Sequence, residues 1–138
     1  MTNPPRRDTV EEGYRPSVDE PYMNDRQLDY FRAQLLTMRA ELSSEMGIDL
    51  STDNEVGDEA DLANRTTESA QAARIQNHHL LLKRDIDAAL RRIDDGSYGY
   101  CEDTGEEIGL SRLLARPMAT LSVEAQERRE RAARQYGQ

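Results

Sequence analysis

Two segments of this chain repeat apolar residues at helical spacing and flank a run of acids. Leu28, Phe31, Leu35, Met38 and Leu42 recur at intervals of three and four before it. Ala72, Ile75, His79, Leu82, Ile86, Leu90 and Ile93 do the same after it. Such intervals gather side chains into one stripe along a helix, and a stripe of this width is buried by packing helix on helix. The connector from Ser51 to Gly57 is polar and turn-forming, so the two helices are expected to run antiparallel. Only 36% of the 138 residues are apolar, with one Phe and no Trp, which excludes a thick globular core. The expected fold is mainly α: a long antiparallel coiled-coil hairpin, a small globular region and a C-terminal helix.

Turn chemistry sets the boundaries. Residues 1–21 carry Pro4, Pro5, Pro16 and Pro21 and read as an arm that is disordered or only locally ordered. The hairpin occupies 22–95. Asn24 or Asp25 caps its first helix, which runs to about Gly47–Leu50, and the second runs from near Asp58 to about Asp95. At a rise of 1.5 Å per residue the two are expected to be about 40 and about 55 Å long. The stretch 96–121 changes texture: Gly96, Gly99, Gly105 and Gly109 alternate with apolar residues and suggest a knuckle-like turn or hairpin. Pro117 breaks any helix there, and Ser122 caps a last helix within 122–138.

Charge narrows the function. The formal net charge is −9, which argues against a direct nucleic-acid reader, because phosphate contacts need clustered Lys and Arg. The charge is also polarised. Asp49, Asp53, Glu55, Asp58, Glu59 and Asp61 meet no base between them, whereas Arg112, Arg116, Arg128, Arg129, Arg131 and Arg134 crowd the C-terminal end. A solvated turn needs charge, but not of a single sign. The acidic tip, about 51–63, reads as a surface for a cationic partner. No catalytic constellation is present, so an enzyme is not expected; His78 and His79 flank the seam in packing or surface roles. The single Cys101 excludes an intramolecular disulfide and fits a reducing compartment. No secretory signal or membrane span is read, and the expected location is cytoplasmic.

Three groups of residues carry a resemblance. Tyr98-Gly99-Tyr100-Cys101, Gly105-Glu106-Glu107-Ile108-Gly109 and Arg112-Leu113-Leu114-Ala115-Arg116-Pro117 resemble the C-terminal globular region of the DksA/TraR family. Asp58-x-x-Asp61-x-Ala63 looks like that family's coiled-coil tip, and Pro21-Tyr22-Met23-Asn24 looks like the start of its first coil helix. The likeness spans about residues 20–135 and is closer to the full-length DksA type than to the shorter TraR type. It implies a monomeric regulator of transcription initiation that binds bacterial RNA polymerase and inserts its coiled coil into the secondary channel. Asp58, Asp61 and Ala63 would then face the polymerase active site; the plain alternative is that Asp58 and Asp61 only cap a helix.

Most family members hold a structural zinc with two C-x-x-C pairs. The matching positions here are Cys101, Thr104, Ser122 and Ala125: one thiol, two hydroxyls and a methyl. These residues imply a degenerate zinc-finger-like region without metal, held by packing; Cys101 reads as a buried structural thiol, because no sequence neighbour would clearly depress its pKa, with a redox sensor as the alternative. The resemblance also implies ppGpp as co-regulator in the stringent response. Of the positions matching that contact, Leu82 and Arg116 agree with the family. Asp85 and Gln126 replace lysines of better-known members, and Lys83 with Arg84, or Arg128 with Arg129, would have to supply the charge. Two other readings stay open here: a Gre-like elongation or transcript-cleavage factor, and a coiled-coil adapter without polymerase contact.

Overall fold

The computed structural model describes residues 13–51 and 69–136. Within them the chain is helical: α1 (Asp25–Met46), α2 (Ala70–Asp95), α3 (Leu110–Ala115) and α4 (Val123–Tyr136). The acidic tip lies outside the described residues.

Helix α1 starts where the sequence provides a cap. The Asn24 side chain accepts the Gln27 N–H at 2.9 Å, and the Gln27 side chain reaches back to accept the Met23 N–H at 2.8 Å. The first bond satisfies a donor that the helix start leaves without a partner, and the second ties down the residue before the cap. It also holds buried Met23 at φ 53°, a backbone region that side chains with a Cβ seldom occupy. Gln27 is fully buried, and its amide nitrogen donates to the Ser17 carbonyl at 3.2 Å. Residues 13–21 of the expected arm are thereby knitted to the base of α1. Tyr14 donates to Glu20 at 2.8 Å, and the Arg26 guanidinium sits 4.2 Å from the Tyr14 ring centre.

Helix α2 is shorter than the sequence pattern suggests. It begins at Ala70, not near Asp58, because Ser69 takes an extended backbone and its hydroxyl accepts the Ala72 N–H at 3.1 Å. With 26 residues α2 is about 39 Å long, and the 22-residue α1 about 33 Å, so the expected lengths of about 55 and 40 Å are corrected downward. Gly96, at φ 87°, closes α2: the N–H groups of Gly96 and Ser97 both reach the Arg92 carbonyl at 3.0 Å.

The two long helices pack antiparallel. Arg32 meets Asp94 at 3.3 Å, Arg39 meets Asp87 at 3.6 Å, and Glu45 meets His79 at 3.3 Å, so rising numbers on α1 face falling numbers on α2. Between these rungs Phe31, Leu35 and Leu42 bury against Ile86, Ala89, Leu90 and Ile93. One seam expectation changes, and one buried residue is added. Ile75 is 51% exposed, because α1 ends at Met46 and leaves that level of α2 without a facing helix turn. Leu50 is buried instead, its N–H donating to Ser43 Oγ at 3.1 Å. The apolar cluster runs on without a break into the base, through Tyr98, Ile108, Leu110, Leu113, Leu121 and Ala125. At roughly 1.5–3 kcal/mol per large side chain, this shared core is the main stabilising term for both parts.

Candidate functional site

The base is a knuckle built by backbone turns. An antiparallel bridge joins Tyr100 to Glu107, Cys101 N–H donates to the Glu106 carbonyl at 2.8 Å, and Ile108 N–H donates to the Gly99 carbonyl at 2.8 Å. The second half of the knuckle is tied in by Glu102 N–H to the Thr120 carbonyl at 2.8 Å. Tyr98, 1% exposed, donates its hydroxyl to the Pro117 carbonyl at 2.7 Å, and burial pushes its pKa up. Tyr22 fastens the other side: its hydroxyl donates to the Gly99 carbonyl at 2.7 Å and accepts the Gly109 N–H at 2.9 Å. Burial raises the Tyr22 pKa as well. Gly99 is required at this junction, since at φ 92° an added Cβ would lie 2.8 Å from Met23 Cγ.

The four degenerate ligand positions stand together in this knuckle, and each already has an occupation. Cys101 is buried, 3% exposed. Burial alone would raise its thiol pKa, but the Thr104 side chain and the backbone N–H groups of Ser122, Thr104 and Asp103 bond to the sulfur and bring it down to about 6. Ser122 Oγ accepts the Ala125 N–H at 3.2 Å and so caps α4. Ala125 is fully buried in the core. A tetrahedral zinc site needs four lone-pair donors from the protein. Here one position is a methyl and one hydroxyl is committed to a helix cap, so the residues do not fit a structural zinc. Among the described residues no group of three or more His, Cys, Asp or Glu could hold a metal ion.

Outside the knuckle, exposed arginines alternate with Glu124, Glu127 and Glu130 along α4. Arg129 grips both carboxylate oxygens of Asp103, and that hydrogen bonding lowers the Asp103 pKa. Arg112 donates to the Leu121 carbonyl at 2.8 Å and to Gln126 Oε1 at 3.1 Å. Arg116, Arg128, Arg131 and Arg134 are exposed.

The residues read as anion contacts fall in separate parts of this frame. Leu82 is a partly buried member of the α2 seam, whereas Arg116 is the exposed residue that ends α3. Lys83, read as a substitute cation, is buried at 2% exposure with Nζ 2.8 Å from Asp87 Oδ2, so it does not present its charge to solvent. That reading is corrected. Arg129 is engaged by Asp103 and Gln126 by Arg112, while Asp85 is exposed. Asp58, Asp61 and Ala63 lie outside the described residues. Reasoning from sequence overlooked the roles of Arg39 and Asp87. Their signal was present: Lys83, the chain's one lysine, stands four residues before Asp87, the spacing of a helical ion pair.

Comparison with known proteins bears on this geometry directly. The family described as prokaryotic dksA/traR C4-type zinc finger matches residues 96–131, the knuckle and most of α4. A protein of Caulobacter vibrioides named RNA polymerase-binding transcription factor DksA is 54% identical over 125 residues, covering 88% of each chain. Its Escherichia coli K12 namesake is 34% identical over 120 residues, covering 82% of this chain and 78% of its own. Among solved structures, transcription factor DksA2 from Pseudomonas aeruginosa superposes with a TM-score of 0.58 at 38% identity, covering 86% of this chain and 93% of that one. Identity at this level across nearly the whole chain shows that the protein belongs to the DksA/TraR family, as a member of the DksA type.

Proposed function

We propose that the chain is a regulator of transcription initiation that binds bacterial RNA polymerase, inserts its acidic tip into the secondary channel and acts without structural zinc. The observation that carries this reading is the 54% identity, over 88% of both chains, to a protein named for binding RNA polymerase. The mechanism is delivery rather than catalysis. The antiparallel helices supply a narrow rod of about 33–39 Å, and the base offers a broader head that stays outside the channel. Asp58 and Asp61 then meet the Mg²⁺ and basic side chains of a polymerase active region. Two unit charges 4 Å apart attract by about 4 kcal/mol at an effective dielectric of about 20, against about 1 kcal/mol in water. A pair of carboxylates brought there is enough to shift the stability of an open complex.

ppGpp is the proposed co-regulator, held between the arginine-bearing base and the polymerase rim. Arg116 and Arg128 are the exposed cations suited to it, because guanidinium pairs phosphate oxygens two at a time. In place of a metal, the bonded Cys101 sulfur, the Tyr22 bridge and the shared apolar core hold the knuckle. The net charge of −9 supports action on the polymerase without direct DNA contact. The test is in vitro transcription from a ribosomal promoter, with and without ppGpp, using wild type and Asp61→Asn, alongside co-sedimentation with core polymerase. Wild type should change open-complex lifetime and Asp61→Asn should not, while both co-sediment. A wild type that leaves open complexes unchanged would overturn the reading.

A further inference from the structure

Met23 holds a strained backbone at the point where the chain enters α1. At φ 53° it is the one non-glycine residue with positive φ among the described residues, and it is buried. Such a conformation costs about 1–3 kcal/mol and persists only where the surroundings over-determine it. Gln27 does that here. With its side chain fully buried, it accepts the Met23 N–H at 2.8 Å and donates to the Ser17 carbonyl at 3.2 Å, while its own N–H is held by Asn24 at 2.9 Å. What the strained turn delivers is the residue before it. The Tyr22 hydroxyl reaches the Gly99 carbonyl at 2.7 Å and the Gly109 N–H at 2.9 Å, beside the bridge of Tyr100 with Glu107, and the Tyr22 ring meets Tyr100 edge-on at 5.7 Å.

The head needs such a device to hold its direction against the rod. No Cα of α3 or α4 comes within 8 Å of a Cα of α1 or α2, so helix packing does not set that direction. The covalent link from α2 turns at Gly96 and again at Gly99, at φ 87° and 92°. Between them Tyr98 is an apolar pivot: its ring lies 5.6 Å from that of Phe31 on α1, and its hydroxyl holds Pro117 of the head. Apolar burial is non-directional, so the shared core holds head and rod together more firmly than it fixes their angle. The two hydrogen bonds on Tyr22 are directional and near ideal length.

We propose that Gln27, Met23 and Tyr22 form a positioning strap that sets the direction of the rod relative to the head. Gln27 locks the strained turn, the turn presents Tyr22, and Tyr22 pins the knuckle. The consequence for regulation rests on the tip-delivery reading above: a head seated on the polymerase then decides where the far end of the rod points. The strap itself does not depend on that reading.

The test is a distance measurement on the free protein. Spin labels are coupled through p-acetylphenylalanine at exposed Ser44 on α1 and exposed Glu130 on α4, which leaves Cys101 untouched, and the distance distribution is read by double electron–electron resonance. Two variants are compared with the parent, at a temperature where circular dichroism shows each fully folded. Tyr22→Phe keeps the ring and removes both bonds; Gln27→Met removes the acceptor of the Met23 N–H. A swing of about 10° at the base moves a label about 24 Å along α1 by about 4 Å, so the parent should give one narrow distance and both variants a shift or added spread of about that size. A strap that only stabilises would lower the melting temperature of the variants and leave the parental distance and width, and that result overturns the proposal. Should Gln27→Met not fold, Tyr22→Phe decides alone. Open-complex lifetimes separate the two readings: a wild type that leaves them unchanged removes tip delivery and not the strap, whereas a parental distance in Tyr22→Phe removes the strap whatever the polymerase does.

Discussion

The helical pair and the knuckle solve the same problem of a small core in different ways. In the pair, side chains do the joining: an apolar stripe supplies the area, and Arg32–Asp94 and Arg39–Asp87 bridge the seam. In the knuckle, too few residues separate one turn from the next for a stripe to form. Hydrogen bonds to backbone do the joining there, through Tyr22, Tyr98, Arg112 and the Cys101 sulfur. The difference teaches where each part fails. The pair is exposed to losing one charge from a buried set, the knuckle to losing an acceptor for several N–H groups at once.

The largest effect is expected in the acidic stretch that lies outside the described residues, on the proposed reading of its role. Asp61→Asn should remove regulation of open-complex lifetime, a loss of at least about tenfold if one charge contact of about 1.4 kcal/mol disappears, while co-sedimentation with polymerase persists. Loss of co-sedimentation at unchanged circular dichroism would make the tip an affinity element instead.

Next comes the buried rung. Asp87→Ala leaves Lys83 charged in an apolar seam and should cost about 3–5 kcal/mol in urea unfolding, far more than Asp94→Ala at the exposed rung, where less than about 1 kcal/mol is expected. Equal costs at the two rungs would contradict the contrast between a buried and an exposed ion pair.

In the knuckle, Cys101→Ala should cost about 1–3 kcal/mol, since the bonded N–H groups lose their acceptor. This cost should depend on pH. The folded thiol lies at about 6, below its ordinary value of 9.0, so the thiolate's contribution is fully present above pH 9 and is lost as pH falls through 6. The gap in melting temperature between wild type and Cys101→Ala should therefore narrow from pH 9 to pH 6. A gap that widens toward pH 6 would show that the sulfur is held as the neutral thiol.

Gly99→Ala, with its added Cβ 2.8 Å from Met23 Cγ and its backbone at φ 92°, should cost about 1–3 kcal/mol and loosen residues 13–23 from the knuckle, read by hydrogen exchange. The smallest effect is the most diagnostic of the comparison. Chelation with EDTA should leave melting temperature unchanged, because one of the four ligand positions is the methyl of Ala125 and the Ser122 hydroxyl is committed to capping α4. A drop of several degrees would mean that a metal holds it after all.

Much of the helical pair was legible because its period is local. Phe31, Leu35, Leu42, Ile86, Leu90 and Ile93 announce the seam by spacing alone, and Asn24 and Gly96 announce where helices start and stop. Ile75 was misjudged and the burial of Leu50 went unread for one reason: whether an apolar residue is buried depends on the helix facing it, and the end of α1 is set by its own cap. Near Asp58 the reading extended α2 because acids suit a helix start, yet Ser69, eleven residues on, holds the cap. In the knuckle the degenerate positions Cys101, Thr104, Ser122 and Ala125 were found by likeness to a pattern. What their side chains do within the knuckle, such as the Ser122 cap on α4, had no signature in the pattern.

The chain alone thus determined composition-level facts and everything with a short repeat: a helical class, two facing stripes, an acidic stretch and a single thiol in place of four. Only the tertiary structure decided which charges would be sealed from water, as with Lys83 and Asp87, and which hydroxyls would bridge segments far apart in sequence, as Tyr22 does between Gly99 and Gly109. The reason is range. Periodicity and capping act over one or two turns, whereas burial and hydrogen-bond satisfaction depend on what another segment brings to the same place.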